Sequence, residues 1–162
     1  MPEERTTPQV FYDGWKEYMD TVTAALVPLT DEQLSLRAAP TERSVGEMAQ
    51  HVVAARVHWF HGFMGEGGEE IAHYSTWDEP DAPTLGADEI VRALDATWQF
   101  MADRLSRWTP EDMQHTFPQE WRGEHYELAR SWVVWHILEH DLIHGGEISL
   151  TLGMHGLQAP RP

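Results

Sequence analysis

The chain has 162 residues, 41% of them hydrophobic, with eight Trp and seven Met, enough to bury one core and too apolar for a disordered protein. Its 27 acids against 11 bases give a net charge of −16, which excludes nucleic acid and phospholipid surfaces as partners by repulsion. Cysteine is absent, which excludes disulfides, cysteine–zinc knuckles and a thiol nucleophile of the protein's own. No apolar run approaches the roughly 20 residues of a membrane helix. The opening MPEERTTPQ carries no apolar stretch of an export signal, so the expected location is cytoplasmic.

Helical periodicity dominates. Between Val10 and Val27, the residues Phe11, Trp15, Tyr18, Met19, Val22 and Leu26 share one face, and Pro28 stops the helix. Thr30-Asp-Glu-Gln33 is a capping-box pattern that opens a short helix before Pro40. A second capping box, Ser44-Val-Gly-Glu47, opens a long helix through Met48, Val52, Ala55, Trp59 and Phe63, and GEGG ends it. Residues 65–86 read as a long exposed loop. Val91, Leu94, Trp98, Met101, Leu105 and Trp108 form a bundle seam on a helix from about Ala87 to Trp108. Thr109-Pro110-Glu111-Asp112 restarts a short helix, residues 115–126 read as irregular, and a last helix is predicted from roughly Glu127 to Leu152. The run His115 to Trp121 alternates, but it is too short and polar to predict a strand. Four long helices without strands predict an all-α four-helix bundle, one domain over residues 8–157, with tails at 1–7 and 158–162.

The chemistry concentrates in HILEHDLIH, residues 136–144. Histidines four apart on a helix point the same way and lie about 6 Å apart, close enough to share one ion. The ladder drifts by about 40° per step, and its ends are about 12 Å apart along the axis, so one ion takes an adjacent pair. Spacing alone leaves His136/His140 and His140/His144 both open. The surrounding Trp132, Val133, Val134, Trp135, Ile137, Leu138, Leu142 and Ile143 favour a metal, because imidazole buried there needs a partner.

HILEH also matches the inverted zinc-protease signature, but only 22 residues follow His140, too few for its downstream ligand. A carboxylate di-iron bundle needs Glu-x-x-His motifs, and neither Glu47 nor Glu139 has one. A third ligand must come from another helix. His51, in the second turn of the capped helix among Val52, Val53 and Ala55, is the best candidate, whereas His58, His61, His73, His115, His125 and His155 are expected at the surface.

Two segments, LTDEQLSLRAAPTERSVGEMAQHVVAARVHW (29–59) and HILEHDLIHGGEISLTLGMHGL (136–157), resemble the DinB/YfiT-like superfamily of metal-dependent enzymes. The first is similar to its pattern of short helix, Pro, Ser-capped helix and histidine, and the second to its closing histidines and Leu-Gly end. The resemblance implies an up-down-down-up bundle, a homodimer, and a zinc or nickel ion held by His51, His140 and His144. It also implies a low-molecular-weight thiol such as mycothiol, bacillithiol or glutathione as co-substrate, for S-transfer or hydrolysis of a small molecule. A non-catalytic metal-binding or stress-response dimeric bundle is the alternative. The family's His-His-Arg-Gly-Gln run is here Ile143-His144-Gly145-Gly146-Glu147, so one His and the Arg have no counterpart.

Around the three ligands that the resemblance implies, Glu47 and Glu139 can each orient an imidazole or accept a proton, with capping or a solvated surface as the alternative. Arg56 can anchor a substrate carboxylate or form a surface ion pair. Trp59 and Trp135 are expected in the core or as pocket walls, and His136 becomes a pocket residue. Gly145-Gly146 in mid-helix should cost about 1 kcal/mol each; close helix contact or room beside a metal can offset that.

Overall fold

A computed structural model describes residues 7–160, so of the expected tails at 1–7 and 158–162, residues 1–6 and 161–162 lie outside the described residues. The molecule is mostly helical. The long helices are α1 (Thr7–Leu26), α3 (Val45–Val57), α5 (Ala87–Arg107) and α6 (Arg130–Met154), with short α2 (Asp31–Leu34) and α4 (Glu69–Ala72) between them. Helix α3 packs on α5 and α6, and α1 packs on the same two. The core between them includes Trp15, Leu26, Val52, Val53, Phe60, Ile90, Met101, Val133, Ile137 and Leu152.

Local chemistry sets the helix starts. Thr30 and Ser44 each close a capping box, with Gln33 and Glu47 reaching back to the cap N–H groups. Beyond Val57 the α3 rod widens into a π-helical turn, His58–Phe63. Gly65 and Gly67 then take positive φ values of 74° and 77°, a conformation that glycine adopts without a steric penalty.

Three expectations need correction. Residues 65–86 are not one exposed loop, because a 3-10 turn, His73–Asp78, folds back onto α3, and α4 packs against that turn and the π-helical turn and buries Ile71. Residues 115–126 are not irregular. β1 (Thr116–Trp121) and β2 (Glu124–Ala129) pair antiparallel, from Thr116 opposite Ala129 to Trp121 opposite Glu124. Arg122 and Gly123 close this hairpin with φ of 53° and 80°, the signs that a type I′ turn requires. The alternation is weak because most of the hairpin faces solvent. Finally, Phe11 is 65% exposed rather than on the buried face of α1.

The two mid-helix glycines differ. A Cβ on Gly145 would sit 2.5 Å from the Tyr18 hydroxyl, whereas one on Gly146 would meet nothing within 4 Å. Close approach of α1 therefore accounts for Gly145, and nothing among the described residues accounts for Gly146.

Candidate metal centre

Helix α3, started by its Ser44–Glu47 cap, carries His51 in its second turn toward α6, which carries His140 and His144 on successive turns. The fold closes the intervening 89 residues. One nitrogen from each of the three rings falls within 4.8 Å of the others. The ring centroids of His51 lie 4.7 Å from those of His140 and 4.8 Å from those of His144, and the His140–His144 pair is at 4.3 Å. The Nε2 atoms of His51 and His140 are 2.9 Å apart.

Two carboxylates hold the outer edges of these rings. Asp78 Oδ2 is 2.7 Å from His51 Nδ1, and Glu147 Oε2 is 2.6 Å from His144 Nδ1. A carboxylate at this distance accepts the Nδ1 proton of each ring, which makes Nε2 the nitrogen that each neutral ring would offer to an ion. Burial pulls the His51 pKa below its ordinary value, against the pull of Asp78. Burial and the neighbouring imidazoles bring that of His140 down to about 3. His140 is therefore a neutral ligand-competent ring at pH 7. Three imidazole donors, two of them oriented by carboxylates, match the donor chemistry of a divalent transition-metal site.

Sequence reasoning missed both carboxylates. Glu147 had a signal, since i,i+3 spacing from His144 places it on the same helix face. Asp78 had none, because its position depends on tertiary folding of the 65–86 segment. The buried amide of Gln50 fixes that segment: its Nε2 donates to the carbonyls of Trp77 (3.3 Å) and Pro83 (3.0 Å), and its Oε1 accepts from Leu85 N at 3.1 Å.

A cavity of about 340 Å³ opens beside the histidines, with His51, His140, His136, His58, Trp59 and Asp78 in its lining. His136 is stacked on Trp132 (centroids 5.0 Å, 12°) and meets Trp59 edge-on at 4.9 Å. Trp59 and His136 thus stand at the cavity, as does His58, which was expected elsewhere on the surface.

Other candidates sit elsewhere. Trp135 is 57% exposed, neither core nor cavity wall, because α6 is apolar on nearly every side and the periodicity could not tell its faces apart. Glu47 is spent on its capping box and an ion pair with Arg37 at 2.6 Å. Glu139 faces solvent, 3.9 Å from His136 Nδ1. Arg56 corrects both of its expectations. It is 1% exposed and paired with the equally buried Asp141, so it forms no surface ion pair and offers no free guanidinium to a substrate.

A family model described as the DinB superfamily matches residues 16–148. The chain is similar to a DinB-like protein from Bacillus cereus ATCC 10987, with 25% identity and a TM-score of 0.71 over 94% of this chain and 95% of that one. It also shares its fold with a conserved protein from Enterococcus faecalis, at 13% identity and a TM-score of 0.69 over 93% of this chain and 99% of that one. No curated protein matches the chain. No helix among the described residues is long and apolar enough to cross a membrane.

Proposed function

The chain belongs to the DinB superfamily, and from that premise we propose that it is a metal-dependent enzyme. In this reading His51, His140 and His144 hold one divalent ion, zinc or nickel, and the reaction is thiol S-transfer or hydrolysis of a small molecule. The same reading takes residues 8–157 as one up-down-down-up four-helix bundle, working as a cytoplasmic homodimer. The convergence of three imidazole nitrogens within 4.8 Å carries the proposal.

Such an ion supplies Lewis acidity, enough to bring a bound water to a pKa of about 7 or to hold a thiol as thiolate. The chain's own residues do the rest. Asp78 and Glu147 fix the planes and tautomers of His51 and His144. Trp59 and His136 give the cavity an aromatic wall for the apolar part of a substrate. Because the sequence holds no cysteine, a thiol nucleophile arrives with a co-substrate.

Elemental analysis of protein purified without a histidine tag tests the site. The expected result is one zinc or nickel per chain, lost in His140→Ala; a metal-free wild type, or full retention in the variant, sinks the assignment. Turnover of a thiol with a panel of electrophiles then supports the transferase, while retained metal with no turnover assigns a non-catalytic metal-binding bundle.

A further inference from the structure

Five residues past His51 and one past His140, the same two helices are joined a second time. Arg56 Nη2 donates to Asp141 Oδ2 at 2.6 Å, and its Nε reaches the two carboxylate oxygens at 3.1 and 3.3 Å. Arg56 Nη1 donates to Leu94 O at 3.1 Å and Thr97 Oγ1 at 3.2 Å on α5. From α1, Trp15 Nε1 donates to Asp141 Oδ2 at 2.8 Å. The network therefore draws on all four long helices. Arg56 and Asp141 are 1% and 0% exposed.

A buried ion pair is weak evidence of stability, since well-packed apolar replacements are often as stable. What apolar contacts lack is direction. Two guanidinium nitrogens on one carboxylate fix both rotation and slide of α6 against α3. His140 adjoins Asp141 and is displaced by about 100° around the helix, so any rotation that frees Asp141 also carries His140 away from His51. Ligand constellations tolerate displacements of only about 0.5 Å.

We infer that the Arg56–Asp141 pair, steadied by Trp15, is a positioning device that sets the spacing of His51 and His140. The inference rests on the three-histidine reading and deepens it.

The test measures zinc affinity by competition with a chromogenic chelator, the visible spectrum of cobalt-loaded protein, and unfolding of the chelator-treated protein in urea. Asp141→Asn is expected to lower both stability and affinity. The apolar double variant Arg56→Met/Asp141→Leu is expected to recover stability while still binding zinc about tenfold more weakly than wild type, with a shifted cobalt spectrum. A double variant as stable as wild type that also binds zinc as tightly overturns the inference. Should it fail to fold, Trp15→Phe stands in, with a roughly threefold weaker affinity expected and an unchanged one overturning the inference. A wild type that binds no zinc sinks the three-histidine reading, and the positioning role with it. That outcome is seen before any variant is made.

Discussion

Two polar clusters lie between α3 and α6, and they are finished differently. Around Arg56 and Asp141 each guanidinium nitrogen has an acceptor, and both carboxylate oxygens have donors. Around His51, His140 and His144 the outer edges of two rings are bonded to carboxylates, while inner nitrogens crowd together. His140 Nδ1 has no hydrogen-bond partner among the described residues. The first cluster is closed and has no capacity for a ligand. The second is held from outside and open inside, which is how a protein prepares lone pairs for an electrophile. A polar group buried between helices is informative through what it leaves unpaired.

Breaking one half of the closed cluster has the largest expected effect. Asp141→Ala leaves a buried guanidinium without its counter-charge and should cost about 3–5 kcal/mol in urea unfolding; a loss near that of a surface substitution would mean that Arg56 finds water. Acid comes next and acts on the open cluster. His140 has a folded-state pKa of about 3 against an ordinary 6.5, and that of His51 is also lowered. Between these values the unfolded chain binds protons that the folded chain refuses, so stability contributed by the neutral rings falls as pH drops from about 6.5 toward 3. A chelator-treated protein whose urea midpoint stays flat over that window in wild type, or falls as steeply in His140→Ala, would contradict this.

A smaller effect separates the two carboxylate supports from the ligands. Asp78→Asn should weaken zinc binding by about 10–100-fold while leaving the fold intact by circular dichroism. Equal affinity would show that His51 orients itself. The smallest contrast is between adjacent glycines. Gly145→Ala meets the Tyr18 hydroxyl and should destabilise by about 1–3 kcal/mol. Gly146→Ala meets open space and should stabilise by about 1 kcal/mol through helix propensity. Thermal melts of the pair should move in opposite directions.

The legible parts of this molecule were those written in local spacing. The α5 seam and the two capping boxes follow from residues three and four apart, and so does the pairing of histidines on α6. His51 came within reach because a helix start with a capping box predicts which turn faces inward. The hairpin escaped because strands with little burial carry little alternation. Trp135 was misplaced because apolar residues surround α6, and Arg56 because its partner is 85 residues away. Asp78 illustrates the general limit: an acidic residue in a segment of acids, glycines and prolines says nothing of its destination until the segment is packed.

That packing runs through Gln50, which grips the chain at Trp77 on one side and at Pro83 and Leu85 on the other. Asp78 adjoins the first grip, and Glu79 to Ala82 form a turn between the two. The consequence is a map of tolerated length. Extra residues inserted at Pro80–Asp81 would bulge into solvent with both grips intact, whereas a single residue added between Trp77 and Asp78 would move the carboxylate off His51. Natural variation in chain length along this segment should therefore gather on the far side of Asp78.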